Sequence, residues 1–370
     1  MYPSPIVRRA DERDIHPILD LLTEYELPRR FFEPFYLDDP TYCPEQSWVV
    51  DIGGQLVAHL RVFDRWLRVG QAKMRVAGIG NVVTARESRG LGYAGKLLQA
   101  MLPAIEAEGF AYSLLWTHIP VMYARYGWAK IEQEVVRARL PGKAPGGFEV
   151  RPFGIDDLPD VMQLYDLTNA GRTGTTVRSR EYWRSQMKWL GHEPGGFLVA
   201  RTAEGTLCGY VRSRLHGSVS DILELGVKMK DRQTGRALMM AAAVRSQGNL
   251  QGHLPPSLRQ LFEPHELHIA REPGLMGRMV SEAALTEALG VLWRKRLPEG
   301  QVRVRHDDGH IQIEIDGEQT VSLREAEFGH LLLSGFDGLA RDLLRDRAES
   351  PLLQELFPEQ DFVIWESDEF

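Results

Sequence analysis

Residues 74–98 read Met-Arg-Val-Ala-Gly-Ile-Gly-Asn-Val-Val-Thr-Ala-Arg-Glu-Ser-Arg-Gly-Leu-Gly-Tyr-Ala-Gly-Lys-Leu-Leu. An apolar run ends at Val82-Val83. A short polar turn follows, and from Arg89 a glycine-rich turn leads into a helix that the pattern carries to about Glu108. A turn of this kind presents several backbone N–H groups on one side, and the helix dipole adds partial positive charge there. Glycines let the backbone take positive φ and approach a ligand closely. The turn can therefore hold a pyrophosphate. Its spacing, Arg89-x-x-Gly92-x-Ala94, is not the dinucleotide fingerprint GxGxxG. It is not a phosphate-binding Walker loop either, because no Gly-Lys-Ser/Thr follows.

Outward from this stretch the chain repeats itself. Arg89, Gly92 and Ala94 recur as Arg232, Gly235 and Ala237, each 143 positions further on. Val7-Arg8-Arg9 opens a strand before an apolar helix pattern at Asp14–Leu19, and Val150-Arg151-Pro152 does the same before Asp157–Met162, at the same offset. Hairpin-like alternation with central glycines begins at Trp48 and again at Phe197. The linker Pro141–Gly147 holds neither helix nor central strand. These segments point to a duplicated unit, with boundaries expected at 1–140 and 148–272. The second copy has Gln233 in place of Gly90 and Lys228, Lys230 and Asp231 around its turn, and reads as a scaffold. From 275 to 370 the pattern changes. A helix runs from Ser281-Glu282 to about Arg296, a hairpin spans Gln301–Gly317, and short helices follow at Leu323–Leu333 and Leu339–Leu344. This is a small α+β unit without a nucleotide motif.

Composition narrows the classes. With 370 residues, two or three domains are expected. The content is 43% hydrophobic and 26% charged, that of a globular protein. The net charge of −7 comes without a basic stripe, which speaks against a nucleic-acid partner. The two cysteines, Cys43 and Cys208, have no metal-ligand spacing, and no metal site is expected. No apolar signal core opens the sequence and no run approaches 18 apolar residues. A cytoplasmic protein that keeps clear of membranes is the expectation.

The Arg89–Ala94 segment, set between strand and helix, resembles the coenzyme A signature of the GNAT acetyltransferases. Downstream, Ala111–Trp116 reads as a buried strand, and Met122-Tyr123-Ala124-Arg125-Tyr126-Gly127-Trp128 is similar to the FYxxxGF element of that family. The match implies that Tyr123 is the general acid protonating the leaving thiolate; Tyr126 falls where the family has an apolar residue. The resemblance further implies acetyl-CoA as cofactor, bound by Val82, Val83, Thr84, Arg89, Gly90, Gly92, Tyr93 and Ala94. A strand bulge making room for it would suit Gly78 and Gly80.

Two GNAT-like halves and a small α+β unit together resemble the enhanced-intracellular-survival acetyltransferases. The implied fold is α/β with mixed sheets: two tandem GNAT-like domains followed by a sterol-carrier-protein-like domain at 275–370, here shorter than is typical. In that family the terminal carboxylate acts as catalytic base, which implies Phe370, with Glu369, Asp368 and His118 as alternatives. The strand-like Phe362–Trp365 would anchor this tail in a sheet. A homo-oligomer is implied too, with a hexamer of paired trimers as one arrangement. On the acceptor side, Glu24-Tyr25-Glu26 and Phe31–Asp39 mix aromatics with carboxylates, which suits an amine with an apolar or sugar-like body. The expected function is transfer of acetyl to a primary amine of a small molecule or peptide by direct attack. The competing readings are a non-catalytic coenzyme A-binding regulator and transfer of another acyl group.

Overall fold

The computed structural model describes residues 3–140, 149–188, 194–228, 231–307, 309–347 and 350–368; the linker at 141–147, Lys230, Glu369 and Phe370 lie outside the described residues. In chain order the first part holds β1 (Ile6–Arg9), α1 (Ile15–Leu21), α2 (Arg29–Leu37), β2 (Ser47–Ile52), β3 (Gln55–Val69), β4 (Ala72–Thr84), α3 (Tyr93–Ala107), β5 (Tyr112–Trp116), α4 (Pro120–Ala124), β6 (Ala129–Lys130) and β7 (Gln133–Arg139). The second holds β8 (Glu149–Pro152), α5 (Leu158–Asn169), α6 (Arg180–Gln186), β9 (Phe197–Arg201), β10 (Leu207–His216), β11 (Val219–Val227), α7 (Arg232–Ala243), β12 (Asn249–Gly252), α8 (Pro256–Arg259) and β13 (Leu267–Glu272). Then come β14 (Leu275–Met279), α9 (Glu282–Arg296), β15 (Val302–Asp307), β16 (His310–Ile315), β17 (Glu318–Arg324), α10 (Glu325–Leu333), α11 (Gly338–Leu344) and α12 (Pro351–Leu356).

The fold is mixed α/β. Two seven-stranded sheets run β1-β2-β3-β4-β5-β14-β6 and β13-β7-β12-β11-β10-β9-β8, and β15-β16-β17 form a third. In each large sheet an antiparallel meander meets one parallel strand pair, β4 with β5 and β11 with β12, with α3 or α7 as the crossover. The repeat legible in the sequence is thus a repeat of topology.

Sheet membership does not follow chain order. β7 lies in the second sheet between β13 and β12, and β14 lies in the first between β5 and β6. Leu275–Met279 pair residue by residue with Trp116–Tyr112. Neither sheet is complete without strands from beyond its own half, so the halves cannot separate without breaking ladder hydrogen bonds.

Local chemistry explains the elements. Gly53 and Gly54 both have positive φ, 63° and 90°, as the tight two-residue β2–β3 hairpin demands. Ser281 caps α9 by accepting from the Ala284 amide, and Arg294, Lys295 and Arg296 occupy its last turn. Leu97, Leu98, Met101 and Ile105 of α3 pack on the face of the first sheet that carries Ala58, Leu60, Val62 and Ala77. The opposite face meets the third unit through Val76, Tyr112 and Leu114 against Leu285, Trp293 and Phe328.

The tail departs from expectation. Phe362–Trp365 is not a strand: it makes one isolated bridge, Phe362 to Thr173. Side chains hold it instead. Val363, Ile364 and Trp365 are buried, and the Trp365 indole donates to Asn169 Oδ1 at 3.1 Å. Asp368 then enters a buried cluster. Arg178, with no exposed side-chain surface, binds Asp368 at 2.7 Å and Glu224 at 2.7 Å, and Arg212 lies 3.5 Å from Glu224. Two guanidiniums and two carboxylates balance in charge, and Tyr210, Ser367 and Gln186 complete the hydrogen bonding. Removing one charge from such a group leaves another uncompensated in the interior. Glu224→Gln should therefore lower stability by about 3–5 kcal/mol, read from the midpoint of urea unfolding followed by tryptophan fluorescence.

Candidate active site

The site begins where two strands part. β4 pairs with β5 for three residues, Val76 with Tyr112, Ala77 with Ser113 and Gly78 with Leu114, and then leaves it. The Ser113 hydroxyl donates to the Ala77 carbonyl at 2.8 Å, and the Trp128 indole donates to the same hydroxyl at 3.2 Å. A wedge-shaped cleft opens above these rungs.

Its cause lies on the other edge of β4. The register with β3 slips between His59 and Arg61, so Asn81 and Val82 stand opposite Leu60. The bulge therefore falls just beyond Gly80, on a non-glycine residue: Asn81 sits at φ 53°. Asparagine tolerates this left-handed conformation better than most residues. Neighbours hold it there. His59 Nδ1 lies 2.9 Å from the Asn81 carbonyl, which can only accept, so Nδ1 carries the proton and Nε2 accepts from the Ser47 hydroxyl at 3.1 Å. The Asn81 amide donates to the Tyr36 hydroxyl at 2.9 Å. Burial pushes the His59 pKa down to about 3, so its ring is neutral at physiological pH.

Beyond the bulge the strand alternates. The Ala85 amide donates to the Val57 carbonyl at 2.9 Å, so Ala85, and Val83 two residues earlier, turn their backbone toward β3. Val82 and Thr84 turn theirs to the cleft. Their carbonyls accept from the Tyr25 hydroxyl at 2.8 Å and from Arg89 Nε at 3.1 Å, both on that side. The N–H of a strand residue projects with its own C=O, so the amides of Val82 and Thr84 face the cleft and that of Val83 does not.

The glycine turn closes the cleft. Gly90 and Gly92 take φ of 79° and 77°, and Gly92 starts α3 without a side-chain cap, so the first helical amides, at Tyr93, Ala94 and Gly95, have no capping side chain. The Arg89 guanidinium bridges the end of β4 to Glu24, 2.8 Å away. The second copy differs here. Asp231 caps α7 through the Thr234 amide at 3.1 Å and hydroxyl at 2.7 Å, and Leu261 crowds Gly235. A carboxylate of the chain itself thus fills the anion position.

Tyr123, on α4, is buried with its ring edge-on to Trp128 at 6.2 Å. Burial, with Tyr25 nearby, holds its hydroxyl pKa well above the ordinary 10. Tyr126 points elsewhere: its hydroxyl lies against α3 at Gly95, where any side chain would collide with it. Arg278 of β14 donates to the Tyr126 carbonyl and braces this loop from 152 residues downstream.

The acceptor side is less as the sequence reads. Asp39 is buried between Arg61 at 2.9 Å and Arg65 at 3.1 Å, Asp38 pairs with Lys188, and Glu33 with Arg29. These carboxylates are engaged within the chain. Instead a cavity of about 350 Å³ opens at the end of β5, lined by Trp116, His118, Arg214, Asp221, Glu272 and Glu366 among others. Sequence reading missed His59, Asn81 and Arg278, and it placed Tyr25 on the acceptor side without its bond to the Val82 carbonyl. Only Asn81 left a signal, as a polar residue within an apolar strand. Among the described residues no group of three or more His, Cys, Asp or Glu could hold a metal ion, and no helix is long and apolar enough to cross a membrane.

Against this geometry, the family model described as acetyltransferase (GNAT) domain matches residues 7–131. The class so defined is an acyltransferase. No curated protein matches the sequence. Solved structures share the fold nearly end to end. A probable N-acyltransferase of Enterococcus faecalis is 16% identical with a TM-score of 0.71, over 96% of this chain and 97% of that one. Eis1 of Mycobacterium abscessus is 15% identical with a TM-score of 0.66, over 99% and 100%. A GCN5-related N-acetyltransferase of Anabaena variabilis is 15% identical with a TM-score of 0.69, over 97% of each.

His59 yields a pH prediction. In the unfolded chain it titrates near 6.5; folded, its pKa is pushed to about 3. Between those values the unfolded state binds the extra proton, so this residue's contribution to stability is lost as pH falls from 6.5. Thermal unfolding between pH 4 and 7.5 should show a shallower decline for His59→Gln than for the wild type.

Proposed function

We propose that this protein transfers acetyl from acetyl-CoA to a primary amine of a small molecule or peptide. The amine nitrogen attacks the thioester carbonyl directly, the C–S bond breaks, and coenzyme A leaves as a thiol. The observation that carries this reading is the parted strand, with two inward amides, beside an uncapped helix start and a buried tyrosine hydroxyl. Backbone amides at Val82 and Thr84 would receive the thioester carbonyl and pantetheine arm, and those of Gly90, Gly92, Tyr93 and Ala94 the pyrophosphate. Val83 would serve by keeping the strand paired, and Arg89 by tethering the turn. Acyl-CoA is the broader statement of the same site.

Tyr123 is the proposed general acid. A raised hydroxyl pKa keeps its proton at neutral pH, ready for a thiolate of pKa about 8.5 as the bond breaks. The proposed base is the terminal carboxylate of Phe370. Its support is the route of the tail: Asp368, two residues earlier, is fixed by Arg178 and acts electrostatically on Arg65 of β3 and on Tyr182. A free α-carboxylate, near 3.5, would need burial to become basic enough. Asp221, Glu272 and Glu366 line the cavity at the end of β5 with Arg214, 3.8 Å from Asp221 and 3.9 Å from Glu366, and His253, 3.4 Å from Glu272; the acidic excess there would favour a cationic acceptor.

In the same reading the chain divides at 1–140, 148–272 and 275–370. The last part, α9 and α10–α12 on a three-stranded sheet, corresponds to a sterol-carrier-like domain. The enzyme is a cytoplasmic homo-oligomer without nucleic-acid or membrane partners.

Tyr123→Phe should lower kcat by about 10²-fold with acetyl-CoA affinity little changed, measured by thiol release and calorimetry over a panel of amines. Appending a short glycine-serine tail after Phe370 should cripple turnover with melting temperature and coenzyme affinity close to wild type. Normal turnover by the extended chain would return the base to the first domain, to His118.

A further inference from the structure

We propose that His59, Asn81 and Tyr36 are positioning residues that select which backbone amides of β4 face the acyl donor; this rests on the acyl-CoA reading of the cleft. The argument is one of strand phase. Up to Gly80, opposite Arg61, β4 is in simple register with β3. Continued without the bulge, Asn81 would face Leu60 and Val82 would face His59, and every later residue would be displaced by one. Side-chain and backbone direction alternate with a period of two, so a slip of one residue reverses them all. The backbone of Val82 and Thr84 would then turn to β3, and Val83 and Ala85 would face the cleft. The bulge at Asn81 is what exchanges the two sets.

A bulge on a non-glycine residue in the left-handed region needs over-determination by its surroundings. Here Asn81 is gripped at both ends. Its carbonyl accepts from His59 Nδ1 at 2.9 Å, and its side-chain amide donates to Tyr36 at 2.9 Å. His59 and Tyr36 are themselves buried. The far ring nitrogen of His59 rests on Ser47, 3.1 Å away, whose hydroxyl lies 3.3 Å from that of Tyr42. This polar line runs from β2 through β3 and β4 to α2, and it acts through the backbone of β4. Because Tyr36 belongs to α2, the line also ties the helix on the acceptor side to the strand that receives the donor.

The test separates backbone geometry from simple loss of stability. Asn81→Val puts a β-branched residue where φ is positive; Asn81→Gly restores that freedom without the side chain. Acetyl-CoA affinity by calorimetry should fall about tenfold or more in the valine variant, with kcat reduced, and by no more than about threefold in the glycine variant. Hydrogen exchange resolved to single amides, in protein without coenzyme, should show Val83 and Ala85 protected in the wild type and the glycine variant. In the valine variant protection should move to Val82 and Thr84. If the valine variant does not fold, His59→Gln, which can still donate to the Asn81 carbonyl, and His59→Leu, which cannot, make the same comparison. Wild-type affinity and exchange in the valine and leucine variants overturn the proposal. So do equal losses in each pair of variants. If the unaltered protein binds no acetyl-CoA, the coenzyme assignment falls, while the exchange pattern still upholds or overturns the lock on strand phase.

Discussion

The parting of β4 from β5 is the constraint on which the rest of the first domain depends. Two parallel strands joined for only three rungs must be held both together and apart. Below the fork the Ser113 hydroxyl ties the strands across, donating to Ala77 while it accepts from Trp128. Above it, the bulge at Asn81 turns β4 away and reverses its phase. Polar backbone groups that leave a ladder need other partners. In this cleft Tyr25 and Arg89 supply them for the carbonyls of Val82 and Thr84. A cleft walled by backbone amides and ended by a helix N-terminus is suited to an extended, anionic ligand.

The cleft is braced from far along the chain. β14 closes the free edge of β5 and sends Arg278 to the carbonyl of Tyr126, so the loop bearing Tyr123 depends on a strand from the last hundred residues. β7 makes the reciprocal crossing into the second sheet. The cluster of Arg178, Arg212, Glu224 and Asp368 acts similarly on the tail. Such groups contribute little net stability against apolar packing, yet they admit one arrangement in which every charge is met. That selectivity fixes the chain at Asp368.

The second half repeats the topology of the first with its helix start capped by the chain itself. Its meander, its parallel strand pair and its crossover helix match those of the first half. Asp231 nevertheless stands at the N-terminus of α7 and Leu261 fills the space beside Gly235. What remains of the copy is a sheet that accepts β7 and a buried cluster that fixes the tail.

The glycine turn at Arg89–Gly95, the helix after it, the 143-residue repeat and the Ser281 cap were legible because each is a local pattern whose conformation follows from neighbouring residues. The class of the fold follows from them. Other features were beyond reach for a common reason. The exchange of β7 and β14, the tail held by side chains instead of a ladder, the engagement of Asp38 and Asp39 with Lys188, Arg61 and Arg65, and the bulge on Asn81 in preference to Gly78 or Gly80 all join residues far apart in sequence. Glycine permits a left-handed turn wherever it stands, and that can be read from its identity. An asparagine takes that conformation here because His59 and Tyr36 meet its two ends, and only the folded chain brings those two side chains to it.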